Sequence, residues 1–236
     1  MAVLCNVTDS HLTSTVASAP DTGEQISITT WMSGIWSTTA ATSKSFVGIY
    51  GPSAAAPITA IQIGSRVTNN AVYVWTWGGG VLVNTGAGVV TDGVNHFIVY
   101  TFDGTSHRVF VDGVLQGTST AAQIAGQFNT FYINGYPTGG TNETSTHVVD
   151  SVQLFNRTLQ SDEILTMYSS RGSRHGISNG LIAYYEFDEG AQGATTSTCF
   201  DFTEGVPAPL TWAGTGTTMS YTYVNGEAKL RPVMVN

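Results

Sequence analysis

Cleaving a glycosidic bond takes two carboxylates set across the sugar, and on a strand they must alternate so that both face the same side. The sequence offers one such place, Glu186-Phe187-Asp188-Glu189, and it runs into Gly190 in what reads as a turn, so hydrolysis is set aside. The five histidines, His11, His96, His107, His147 and His175, are dispersed, with no pair at metal-ligand spacing. No Ser stands in G-x-S-x-G, and the Gly-rich stretches lack the Lys-[Ser/Thr] that would contact phosphate and metal. What remains is recognition without catalysis. Aromatic rings bury the apolar faces of sugars, and Tyr73, Trp75 and Trp77 alternate, so all three point to one face of a strand, either the core or a groove. Tyr132, Asn134 and Tyr136 repeat the pattern beside Gly139-Gly140, and the polar Asn on that face makes them the better surface candidates for a glycan.

The elements that would hold such residues are short. Alternating or apolar runs predict strands at 26–31, 46–50, 58–63, 71–77, 80–84, 95–102, 108–111, 130–133 and 148–155, separated by Gly, Pro, Asn or Asp. Regular spacing of that kind is the pattern of an antiparallel sandwich. Asp103-Gly104 and Asp112-Gly113 suit tight turns, because Gly accepts positive φ without steric penalty. Gly78-Gly79-Gly80 reads as the tip of a hairpin. One helix is expected, near 161–169, where Ile164, Leu165 and Tyr168 fall at helical spacing and Asp162 and Glu163 meet the positive end of the helix dipole.

Length and composition bound the answer further. A chain of 236 residues accommodates one large all-β domain. Eight basic against sixteen acidic residues give a net charge of -8, which removes the electrostatic attraction behind most nucleic-acid binding. No stretch approaches the roughly twenty apolar residues of a membrane-spanning helix. The opening residues, MAVLCNVTDSHLT, lack a basic segment and a long apolar one, so a chain made in a cytoplasm without a signal peptide is expected, the alternative being a secreted protein whose signal is already removed. Cys5 and Cys199 are too few for a disulfide scaffold; they either pair with each other or stay as thiols.

In their order along the chain, Thr101-x-Asp103-Gly104, then Val111-Asp112-Gly113, then Asn156-Arg157-x-Leu159-x-x-x-Glu163-Ile164 resemble the laminin-G-like branch of the concanavalin A-like jelly rolls, as does the strand Ile26-Ser27-Ile28-Thr29-Thr30-Trp31. The resemblance implies an all-β, antiparallel two-sheet jelly-roll sandwich over 1–176. One departure is that Gln160 stands where the family usually has Ser at the helix cap. The segment 180–190 resembles the element that opens many such domains, so 177–236 is expected to supply a strand to the sandwich or an arm to a neighbouring subunit, 180–187 packing in cis and 221–236 reaching out. Relatives of this kind often hold Ca²⁺ in edge loops, and Asp92, Asp103, Asp112, Asp150 and Asp188 are the candidate ligands. The resemblance also points to a non-catalytic virion structural protein, such as a bacteriophage decoration or fibre-associated protein, whose partners are capsid proteins and copies of itself and which also meets glycans. The alternatives are a secreted calcium-dependent carbohydrate-binding lectin and, behind it, a glucanase-type hydrolase.

Overall fold

The computed structural model describes residues 2–5, 10–16, 19–21, 23–36, 43–51, 60–66, 69–76, 80–122, 127–134, 147–171, 177–187, 195–196, 198–203, 209–214 and 219–222. In chain order the elements are β1 (Ala2–Cys5), β2 (Ser10–Thr15), β3 (Ile26–Gly34), β4 (Lys44–Tyr50), β5 (Ala60–Ser65), β6 (Tyr73–Thr76), β7 (Gly80–Asn84), β8 (His96–Phe102), β9 (His107–Val111), β10 (Val114–Ser119), β11 (Thr130–Ile133), β12 (His147–Phe155), the helix α1 (Ser161–Ser169), β13 (Leu181–Tyr185), β14 (Thr195–Thr196), β15 (Thr198–Cys199), β16 (Leu210–Gly214) and β17 (Met219–Thr222). They form two antiparallel sheets. Sheet A runs β10-β9-β8-β3-β12-β1-β17-β14 with β13 also paired to β12, and sheet B runs β15-β16-β2-β11-β4-β5-β6-β7. The jelly-roll sandwich with one short helix is the fold that the sequence pattern predicts.

Alternation decides what goes between the sheets. On β8, Ile98, Tyr100 and Phe102 join the main core with Ile28 of β3 and Val109 and Val111 of β9, and from sheet B come Val47, Ile49, Ile61, Ile63, Val74, Phe131 and Ile133. The intervening residues Phe97 and Val99 point the other way, where Trp31, Phe110, Phe155 and Leu159 join Ile164 and Met167 of α1 in a second apolar cluster. The helix therefore roofs the outer face of sheet A. Its entry is fixed by the Asn-Arg-x-Leu segment: Arg157 grips Glu163 through both guanidinium nitrogens, at 2.6 and 2.7 Å, and Glu163 also accepts the N–H of the cap residue Gln160 at 2.8 Å. The acid three residues past the cap thus holds the cap backbone, as in a capping box, although a Gln stands at the cap itself.

The turns follow their residues. Asp112 and Gly113 both take positive φ, 52° and 79°, the geometry of a two-residue hairpin loop between β9 and β10. In β12, Asp150 opposes Trp31 while Gln153 opposes Thr29, so one extra residue bulges out, and Ser151 sits there at φ 49°. Before the bulge the strand's free edge pairs with β1, and after it with β13. Leu181–Tyr185 thus joins the sheet of its own chain, and Met219–Thr222 pairs with β1; residues 223–236 lie outside the described ones. β1, β2, β10 and β14 to β17 fall outside the strands that the residue pattern predicts. Ser-His-Leu-Thr-Ser-Thr carries one large apolar side chain, Leu12, which is buried, so its alternation is too faint to register. Cys199 is buried as a thiol, and the side chain of Cys5 falls outside the described residues.

Candidate functional site

The aromatic candidates do share a face. Tyr73 and Trp75 on β6 and Tyr132 on β11 stand on the side of sheet B turned away from the core, since Val74, Phe131 and Ile133 fill the core instead. Register sets Tyr132 opposite Gly48, Gly48 opposite Gln62 and Gln62 opposite Trp75, one row from β11 through β4 and β5 to β6. The row is close-packed: a Cβ on Gly48 would strike the Ile61 carbonyl and the Tyr132 hydroxyl, and that hydroxyl lies 2.8 Å from Ser45 Oγ. The Arg66 guanidinium lies over the Trp75 ring, 5.7 Å from its centroid.

Surface exposure is the expectation for Tyr132 and Asn134, and it fails for both. Tyr132 and Asn134 are fully buried and Trp75 nearly so, leaving Tyr73 half-buried. Asn134 is there for its backbone: it adopts a left-handed φ of 68° just past β11 and donates its N–H to the Phe46 carbonyl at 2.8 Å. Asn tolerates that conformation better than most residues, so its polarity marked a turn and not an open face. Gln62 is buried with neither end of its amide hydrogen-bonded. Trp77 and Tyr136 lie outside the described residues.

The carboxylates do not converge on a cation. Asp92 accepts the Trp36 N–H at 2.7 Å. Asp112 accepts the Phe97 N–H at 2.9 Å and faces His96 Nδ1 at 2.8 Å. Asp150 is buried at the bulge of β12, and Asp188 lies outside the described residues. Among the described residues no three His, Cys, Asp or Glu side chains come together. Glu186, from the one acidic run, accepts the Tyr184 hydroxyl at 2.6 Å.

An opening that the aromatic pattern did not point to lies at the start of α1. A cleft of about 310 Å³ is lined by Gln25, Thr101, Asp103, Arg108, Phe110, Thr158, Leu159, Gln160 and Ser161. Its walls follow from strand register. Thr101 continues the outward-facing series Phe97, Val99 on β8, and it pairs with Arg108, which continues the outward-facing Phe110 on β9. The chain between β12 and α1 closes the third side. Leu159 donates its N–H to Ser27 Oγ at 2.9 Å, and Ser27 Oγ donates in turn to the Arg157 carbonyl at 2.7 Å. Thr158 donates its hydroxyl to the Phe102 carbonyl at 2.9 Å and its N–H to Gln25 Oε1 at 3.3 Å.

Charge inside the cleft is balanced by one pair. Arg108 Nη1 donates to Asp103 Oδ2 at 2.6 Å, while Asp103 Oδ1 accepts the N–H groups of Thr105 and Ser106 at 2.9 and 2.7 Å. The Ser106 amide above all holds the Asp103 carboxyl below its ordinary range; burial pushes the other way, and Arg108 and Thr105 add to the lowering. Among the described residues, Nη1 is the only atom of the Arg108 guanidinium with a partner, so its other N–H groups meet none of these residues. Thr101 is 1% exposed, and its Oγ1 has no hydrogen-bond partner. A buried hydroxyl without a partner carries a cost on the order of 1–3 kcal/mol, so the wall has a polar demand that the protein does not meet. Of these residues, sequence reasoning singled out Thr101, Asp103 and Leu159 as family pattern and Asp103 as a metal candidate, but missed Arg108, Thr158 and Gln25. The available signal was the pairing of T-x-D-G with the preceding positions of V-D-G, since antiparallel register sets Thr101 beside Arg108.

Similar architectures carry this frame. The structure resembles a protein of Bacteroides ovatus ATCC 8483 whose carbohydrate binding is inferred, with a TM-score of 0.63 at 13% identity; the match covers 94% of this chain and 60% of that one, so this chain spans less than two thirds of its length. It also resembles the native heptameric SAP-like pentraxin of Limulus polyphemus, with a TM-score of 0.58 at 11% identity over 96% of both chains. No curated protein matches the sequence. At such identities the likeness is one of fold, but the sequence itself matches the family pattern across 6–165, which takes in the strands, the turns and the helix start that frame the cleft. The chain belongs to the concanavalin A-like lectin/glucanases superfamily.

Proposed function

We propose that the protein is a non-catalytic carbohydrate-binding protein and that the cleft between β8, β9 and the start of α1 receives one sugar unit. The observation that carries this reading is the buried, unpartnered hydroxyl of Thr101 in a wall otherwise built from amides, hydroxyls and a guanidinium over apolar Phe110 and Leu159. Sugar hydroxyls both donate and accept, and the apolar floor suits the C–H face of a pyranose ring. Membership of a superfamily of lectins and glucanases and the fold shared with the Bacteroides protein support binding. The cleft's single carboxylate, Asp103, is already engaged by Arg108 and two backbone N–H groups, whereas glycoside hydrolysis uses two, which favours binding over cleavage.

A glycan array tests this, run with calcium, with chelator, and with a Thr101→Val variant of unchanged melting temperature. Binding that survives chelator and weakens in the variant supports the reading, which assigns no metal to the cleft. Binding abolished by chelator would return the site to the acidic loops of a calcium-dependent lectin. Silence throughout, combined with self-assembly in sedimentation, would favour the virion structural role, with capsid proteins or other copies of the chain as its partners; that role draws its support from the sequence resemblance alone.

A further inference from the structure

The cleft's hydrogen-bonding groups are unevenly divided. Groups that can only donate are the N–H groups of Arg108 that no described residue accepts, the Nε2 of Gln25, whose Oε1 already accepts from Thr158, and the N–H of Ser161; the hydroxyls of Thr101 and Ser161 can donate or accept. Ser161 is the first residue of α1, and N–H groups at a helix start have no acceptor within the helix. The groups that can only accept are largely engaged. Asp103 takes two backbone N–H groups on one oxygen and Arg108 on the other, and the Thr158 carbonyl receives Arg157 Nη1 and Gln160 Nε2 at 3.4 and 3.5 Å. Glu163, next to the cleft, has both oxygens on Arg157. Asp162 is exposed in the first turn and does not line the opening.

Resting on the reading of this cleft as a sugar site, we infer that its ligand is an acidic sugar whose carboxylate lies between Thr101, Arg108 and the start of α1. A neutral sugar offers hydroxyls that donate as well as accept, so some of its donors would face donors here. A carboxylate only accepts, and it meets a guanidinium, a hydroxyl and the positive end of a helix. The buried position of Thr101 matters for selectivity, because a ligand that leaves it unpaired leaves the cost of its burial uncompensated.

The test is a titration of the ¹⁵N-labelled protein with methyl glucuronide, methyl glucoside and acetate, followed at the amides of Arg108, Gln160 and Ser161. The uronide is expected to shift these amides at roughly tenfold or more lower concentration than the glucoside, with acetate weaker than the uronide, and the preference is expected to shrink as salt is raised. Arg108→Gln should erase the preference, so that the variant binds uronide no better than glucoside, and Arg108→Lys should retain part of it. Thr101→Val should weaken the uronide roughly threefold to tenfold. Equal affinity for uronide and glucoside at these amides overturns the acidic-sugar inference but leaves the cleft as a sugar site. Acetate binding as tightly as the uronide overturns the role of the sugar ring. If no ligand moves these amides, the cleft reading falls and the inference falls with it.

Discussion

The two outer faces of the sandwich use aromatic residues in the same way and polar residues in opposite ways. On sheet A, Trp31, Phe97 and Phe110 are roofed by α1, Trp31 lies 5.8 Å from the Tyr168 ring in a stacked arrangement, and the polar groups gather at the margin, around an open cleft. On sheet B, Tyr132 and Trp75 are also buried, but a polar side chain, Gln62, is enclosed between them with no partner. Face A therefore keeps its polar groups apart from its packed rings, and face B mixes the two. Aromatic alternation in a strand reports which side a ring is on; it does not report whether that side is open, and here neither aromatic row is.

The sharpest way to break this contrast is to remove a ring from face A. Phe97→Ala deletes a buried side chain under the helix and should cost about 3–5 kcal/mol in urea unfolding; a loss below about 1 kcal/mol would mean that α1 roofs the sheet without contributing to its stability. A smaller effect of opposite sign is expected on face B. Gln62→Leu replaces a buried amide lacking partners with an apolar side chain of similar size, and should raise stability by about 1–2 kcal/mol. Destabilisation there would reveal that the amide is satisfied in solution.

The smallest effect separates face A from the core by pH. His107 is buried, donates from Nε2 to the Ala121 carbonyl at 2.8 Å, and has its Nδ1 2.9 Å from the Tyr100 hydroxyl. Burial lowers its pKa below the ordinary 6.5, although the Ala121 bond and Asp103 pull the other way. The unfolded chain then takes up a proton that the native chain refuses, so stability is full above 6.5 and declines as pH falls from there toward the depressed native value. Asp103 and Glu163, on face A, are lowered from 3.8 and 4.5, so their contribution persists above those values and is lost only as pH falls through the lower native ones. Melting temperature against pH should show an upper decline that His107→Gln removes and a lower one that Glu163→Gln reduces. A single decline below pH 4.5 would show that His107 is not coupled to folding.

Much of this architecture was legible in the residues. The hairpin at Asp112-Gly113 and the helix after Leu159 rest on local chemistry, because turn geometry and the helix start are properties of short segments. Strands such as Ser10–Thr15 were not legible, since they borrow their apolar context from neighbours far along the chain. The cleft was half legible. Thr101 and Asp103 stood out as a motif, but that Thr101 is buried beside Arg108 and Gln25 depends on how β8, β9 and the start of β3 meet, and no single segment contains that.

One pairing has a consequence in time. β1 lies between β12 and β17, with Val3 opposite Val149 on one side and Tyr221 on the other. During synthesis the leading strand has to wait for partners made far later, and sheet A cannot be completed until almost all of these residues have emerged from the ribosome. Such long-range pairing slows folding, and it leaves the edges of β1 and β12 exposed as templates for other nascent chains in the meantime. β17 therefore works as a clasp, and the yield of native protein should depend on how quickly synthesis delivers it.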